Sequence, residues 1–122
     1  MVNHSVQLND GFKVGDATHK VAELRYPKAG DLIDANQESE VPVSTPSGYQ
    51  LMVSPTLIGA HVLRRQVVRI GDYEGPLTLA ELKRLSQTDL NLLQAEAERM
   101  DNALAEALVA RGRSAAPGHS DQ

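Results

Sequence analysis

Residues 76–111 read Pro76-LTLAELKRLSQTDLNLLQAEAERMDNALAEALVA-Arg111, and this stretch sets the architecture. Thr78-Leu-Ala-Glu81 is a capping box, in which hydroxyl and carboxylate reciprocally satisfy free backbone N–H groups at a helix start. Leu79, Leu82 and Leu85 give that short helix an apolar face. Ser86-Gln-Thr-Asp89 repeats the signal at once, so a second helix begins there. Leu90, Leu93, Ala97, Met100, Leu104 and Ala107 follow at alternating spacings of three and four, a heptad-type seam. Gly112 after Arg111 is a favourable stop. The pattern predicts a long helix over roughly 87–111. The tail, 113–122, has no apolar residue larger than Ala and is expected to be disordered.

Working upstream, Ser54-Pro55 is a helix start, with a hydroxyl at the N-cap and Pro at the first helical position. Leu57, Ala60, Leu63, Val67 and Ile70 share one helical face, which predicts a helix over 55–68. Before it, Glu38 to Ser54 carries Pro42, Pro46 and Gly48 among serines. That composition predicts an exposed, mobile loop over 39–53, with Tyr49 to Val53 able to form a short edge strand. A short helix is expected over Asp31 to Gln37. Between residues 5 and 26, apolar and polar residues alternate around Gly pairs, which reads as a β-hairpin. Its turn is Asp10-Gly11 or Gly15-Asp16, and Pro27 closes the second strand. Val6, Leu8, Val14 and Leu24 are expected to pack on the 55–68 helix. The expected fold class is α+β: a small N-terminal hairpin, then three or four α-helices within 55–111 and upstream, in one domain over 1–112.

The chain has 122 residues, 12 Lys and Arg against 16 Asp and Glu, a net charge of −4 and no cysteine. The missing cysteines exclude a disulfide framework, a thiolate zinc site and a Cys nucleophile. The acidic balance argues against a nucleic-acid binder, which shows a basic excess. No apolar run approaches the ~18 residues of a membrane span, and the first residues do not read as a signal peptide. The expectation is a protein of the cytoplasm.

No catalytic constellation stands out. The four histidines lack the spacing that sets two ligands on one helix face. His61 lies beside Arg64 and Arg65. There is no G-x-S-x-G and no Gly-rich phosphate loop, so no catalytic, cofactor-binding or metal-ligating residue is expected. Arg64, Arg65 and Arg69 read as a solvated basic cluster balanced by nearby acids. The seam is more informative. Leu90, Leu93 and Ala97 lie near the body and are expected in the core. Met100, Leu104 and Leu108 lie further out, where so short a chain has little left to cover them. They are expected to be partly exposed and to contact a partner.

Two stretches resemble a known family. Val21-Ala-Glu-Leu-Arg-Tyr-Pro-Lys-Ala-Gly-Asp-Leu32 is similar to a strand ending in Leu-Arg-x-Pro followed by x-Ala-Gly-x-Leu. Pro76 to Leu90 is similar to Pro-Leu-Thr-x-Ala-Glu followed by Leu-Ser-x-x-Asp-Leu. In that order and separation they resemble the tail assembly chaperones of Mu-like and related contractile-tailed phages. The resemblance implies a non-enzymatic protein of the host cytoplasm. It would bind the tape measure protein during tail morphogenesis and be absent from the finished virion. It also implies contact with tail tube protein through a longer frameshifted product; self-association is expected from the outer seam instead, where Met100, Leu104 and Leu108 would form the contact for a second copy or for the tape measure client. A different class, a small regulatory or adaptor module dimerising through its C-terminal helix, fits the residues as well.

Overall fold

The computed structural model describes residues 4–115, with side-chain surroundings through residue 112. The N-terminal hairpin is built from β1 (His4–Val14) and β2 (Ala17–Leu24), turning at Gly15-Asp16. Its ladder runs from His4 opposite Leu24 to Gln7 opposite Val21, breaks, and resumes with Phe12 opposite His19. The other candidate turn, Asp10-Gly11, lies in this break as a bulge. Gly11 holds φ +89°, and a Cβ there would stand 2.7 Å from Thr18 Cγ2, so only glycine fits.

The bulge decides which residues face inward. Val6, Leu8 and Leu24 are buried as the alternation suggests, but Val14 is exposed beside the turn and Phe12 takes its expected place. The Phe12 ring lies under the Arg84 guanidinium at 4.9 Å and against the Tyr73 ring at 5.2 Å.

After β2 come α1 (Ala29–Glu38), β3 (Glu40–Thr45), β4 (Gly48–Val53), α2 (Pro55–Gln66), β5 (Val67–Ile70), β6 (Tyr73–Glu74), α3 (Leu79–Lys83) and α4 (Gln87–Ala115). The fold is α+β, with an N-terminal hairpin and four helices among the described residues, the last one long.

Several further expectations need correction. The helix expected over 55–68 stops at Gln66, and Val67 to Ile70 form β5 against β2, with Ala22 opposite Ile70. Val67 and Val68 are β-branched, and the open edge of β2 supplies hydrogen bonds that a longer helix would forgo. The result is one antiparallel sheet in the order β1-β2-β5-β6. The segment 39–53, expected as a loop, is a second hairpin in its own two-stranded sheet, with Thr45 opposite Gly48 around Pro46-Ser47. Its proline is tolerated because both strands are edges. Gly112 does not stop α4, whose backbone continues to Ala115. A glycine ends a helix by turning left-handed, and Gly112 is not among the positive-φ glycines. The expected disordered tail beyond residue 115 lies outside the described residues.

The core gathers Val6, Leu8, Phe12, Ala22 and Leu24 from the hairpin with Leu63, Val67, Ile70, Leu77, Leu82, Leu85, Leu93 and Met100. The hairpin was expected to pack on α2; instead β1 lies along α4, and α2 packs mainly on α1. The Asp89 carboxylate at the start of α4 ties β1 and that helix together. It accepts the backbone N–H groups of Asn9 at 2.6 Å and Gly11 at 2.8 Å, and that of Asp10 at 3.1 Å.

Candidate partner-binding surface

The expected site was the outer seam of α4. This helix is about 43 Å long at 1.5 Å per residue. Its first half is fixed to the body. Leu93 is fully buried, and Leu90 and Ala97 pack partly buried against the core. Met100, expected to be partly exposed, is only 1% exposed and belongs to that core. The reason is the length of β1, which runs along α4 as far as His4, where the imidazole meets Glu96 at 3.3 Å. The body therefore covers one more turn of the helix than chain length suggests.

Beyond Met100 the helix leaves the body, and residues 101–112 are all exposed. Leu104 and Leu108, the other two expected partner residues, are 46% and 53% exposed. They continue the face that buries Leu93 and Met100, since steps of three and four keep residues on one side of a helix. Val109, also exposed, projects elsewhere around the helix. The seam is thus one stripe with two fates, core where the sheet covers it and bare where the sheet ends.

A second apolar surface escaped the sequence reading. Nearly all of β3 and β4 is open to solvent, with Tyr49, Leu51, Met52 and Val53 among the large exposed side chains. A signal was present: Val41 to Thr45 and Tyr49 to Val53 are two β-forming runs flanking a Pro46-Ser47-Gly48 turn. The prolines obscured it.

The basic cluster is spent on structure. Arg64 and Arg65 reach Glu38 of α1 at 3.0 and 2.7 Å. Arg69 meets Glu23 and Glu74 across the sheet. The Arg65 hydrogen bond, with the Arg64 charge behind it, holds the Glu38 carboxyl below its ordinary range. His61 is buried at the centre of this group, and its Nδ1 accepts from Arg64 Nε at 2.9 Å. Burial first, and the neighbouring Arg64 charge second, push its pKa down and favour the neutral imidazole.

The two resemblance stretches also resolve into structure. Arg25 donates to both carboxylate oxygens of Asp31, and Asp31 accepts the Lys28 N–H at 2.7 Å. That arrangement joins the end of β2 to the first turn of α1 and holds the Asp31 carboxyl low, chiefly through Arg25. Thr78 and Glu81 form the expected capping box. Ser86 accepts from Asp89 N at 3.1 Å, but the Asp89 carboxylate serves β1 instead of its own helix. Among the described residues no three His, Asp or Glu side chains gather as a metal site, and no helix is long and apolar enough to cross a membrane.

Sheet, capped helices and projecting α4 together define a small α+β scaffold with exposed apolar side chains on the β3–β4 hairpin and on outer α4. The family described as tail assembly protein gp41 matches residues 8–113. The chain is 39% identical over 116 residues to the probable tail assembly protein gp41 of Escherichia phage Mu, covering 91% of this chain and 81% of that one. It is 35% identical over 109 residues to the Mu-like prophage FluMu protein gp41 of Haemophilus influenzae, covering 88% and 86%. A longer relative from phage Mu, the probable tail assembly protein FS-gp41, is 37% identical over 108 residues, 85% of this chain and 57% of that one. No solved structure matches. The chain belongs to the gp41 tail assembly family of Mu-like phages.

Proposed function

We propose that this protein is a non-enzymatic tail assembly chaperone. It binds the tape measure protein in the host cytoplasm while the tail is built, and it is left out of the finished virion. One observation carries the reading: the α4 stripe keeps its spacing after the body ends, leaving Leu104 and Leu108 half-bare. A long helical client with apolar stripes packs against such a face as one helix against another. Covering the exposed half of each leucine contributes about 1 kcal/mol per side chain. A contact of that size is weak and reversible, as transient cover of a client requires. The charged flanks, Glu98, Asp101 and Glu106, keep the free helix in solution. A longer product of the FS-gp41 kind would bring tail tube protein to the same client.

The test is co-purification of the tape measure protein with this chain after co-expression. The double variant Leu104→Asp, Leu108→Asp is expected to keep its circular dichroism and melting curve and to lose the client. A folded double variant that retains the client would overturn the assignment of this surface. Detection of the chain in purified virions at structural copy number would overturn the chaperone reading.

A further inference from the structure

β3 and β4 stand apart from the main sheet. Their ladder sets Glu40, Pro42 and Ser44 opposite Val53, Leu51 and Tyr49, and residues directly opposite share a face. On that face Tyr49 is 81% exposed, Leu51 67% and Val53 42%. An isolated two-stranded ribbon is marginal in water, and it gains stability when further strands pair at its edge and its side chains acquire cross-strand neighbours.

The two edges of the ribbon differ. β3 carries Glu40 and Pro42. Proline is tolerated in a strand where its nitrogen faces away from the paired neighbour, so the missing donor falls on the outer edge of β3. A charge and a proline are both devices that discourage further pairing. β4 reads Gly48-Tyr-Gln-Leu-Met-Val53, with no charge and no proline. Its edge is the open one.

We propose that β4 pairs antiparallel with β4 of a second copy, with the two-fold axis at Leu51, to give a sheet ordered β3-β4-β4-β3. The strand is complementary to itself in this register. Tyr49 falls opposite Val53 of the second copy, an aromatic on a β-branched residue, and Leu51 falls opposite its own equivalent. The chain carries a net charge of −4, and this strand is where two copies can approach without bringing like charges together. An isologous contact closes at two, so it gives a defined dimer and no fibre. In this register Tyr49, Leu51 and Val53 of each copy gain a neighbouring strand, while β3 lies outside the contact. The occupant is a second copy because strand pairing needs a strand. A helical client brings none, and a second copy brings this one.

The chain contains no cysteine, so a single introduced thiol reports the geometry cleanly. The experiment is sedimentation equilibrium of the full chain over a concentration series, with cross-linking in glutathione buffer. The wild type is expected to move between 13.2 kDa and twice that mass. Leu51→Lys places two ammonium groups across the axis and is expected to weaken the dimer at least ~10-fold with melting unchanged. Leu51→Cys is expected to form a disulfide-linked dimer, since the two thiols face each other across the axis about 5 Å apart at Cβ and a shift of about 1 Å brings them to the separation of a disulfide. Val43→Cys, on the other strand, is expected to stay monomeric on the same gel. If Leu51→Lys unfolds, the comparison of thiols at 51 and 43 decides alone. The proposal is overturned by a wild type that stays monomeric at millimolar concentration, by a folded Leu51→Lys that dimerises as before, or by equal cross-linking from both positions. Loss of the dimer in Leu104→Asp, Leu108→Asp would place the contact on α4 and overturn it as well. Loss of client alone in that double variant leaves this dimer standing.

Discussion

The carboxylate of Asp89 accepts the backbone N–H of Gly11 at 2.8 Å, across 78 positions of the chain. The same carboxylate takes Asn9 and Asp10, so one buried side chain satisfies three consecutive donors that the β1 bulge removes from the ladder. Both features depend on each other. Without the bulge the three donors would not converge on one point but alternate between the two sides of the strand, and without the carboxylate they would be left unpaired against the start of α4.

Asp89→Ala should therefore cost about 3–5 kcal/mol, since it strands several donors and removes charge-assisted bonds at once. Asp89→Asn keeps one acceptor oxygen and turns an amide N–H toward the same donors, so about 2 kcal/mol or more is still lost. Urea denaturation of both variants measures this. A loss below 1 kcal/mol in Asp89→Ala would show that water replaces the carboxylate and that the bulge is held by other means.

Gly11 is the other half of the joint. Gly11→Ala forces a Cβ into a left-handed backbone with Thr18 Cγ2 at 2.7 Å and the His19 carbonyl oxygen at 2.9 Å. The expected cost is about 2 kcal/mol or more, from strain and displacement of β2. Gly15→Ala, also left-handed but with open space around it, should cost less. Melting temperatures of the pair give the comparison, and equal losses would mean that backbone strain alone matters.

Much of this fold is readable locally. Ser54 with Pro55, Thr78 with Glu81 and Ser86 with Asp89 start helices because their donors and acceptors lie within one turn, and each start occurs where the sequence sets it. What sequence does not reveal is tertiary. Val67 and Ile70 suit a helix face and a strand equally, and only the open edge of β2 selects the strand. Pro42 reads as a loop residue until its strand is found to be an edge. Asp89 matches a local cap while its carboxylate reaches a strand 80 residues upstream. At the candidate surface, Leu104 and Leu108 are bare as the seam suggests, but Met100 is covered because β1 extends to His4.

Stability should fall in two steps on acidification. Burial and Arg64 hold the His61 pKa below its ordinary 6.5, so the unfolded chain takes up a proton that the folded chain resists. That contribution is complete above 6.5 and is lost as pH falls through the lower folded value. Asp31, Glu38 and Glu81 are held below their ordinary 3.8, 4.5 and 4.5, chiefly by Arg25, Arg65 and the Tyr73 hydroxyl in turn. Their contributions are present above those values and are lost as pH falls through the folded ones, a second limb at lower pH. Melting curves between about pH 3 and 8 should show both limbs. His61→Gln, which keeps an acceptor for Arg64, should flatten only the first. A first limb that survives this change belongs to another group.

The seam itself gives the sharpest contrast. Met100, Leu104 and Leu108 sit on one stripe of one helix, and sequence spacing treats them alike. Met100 is sealed in the core, whereas the two leucines lie beyond it. Met100→Ala should lower the stability of the dilute monomer by about 2–4 kcal/mol, the range for emptying a buried site of this size. Leu104→Ala and Leu108→Ala should each change it by less than about 0.5–1 kcal/mol, because water already reaches both side chains. The client-binding loss should run the other way, marked for the leucines once folding is accounted for and absent for Met100 at temperatures where that variant stays folded. Urea denaturation and tape measure co-purification on the same three proteins test both orders. If Leu104→Ala destabilises the monomer as much as Met100→Ala, then α4 does not project, and the outer half of the stripe is held by the chain's own body.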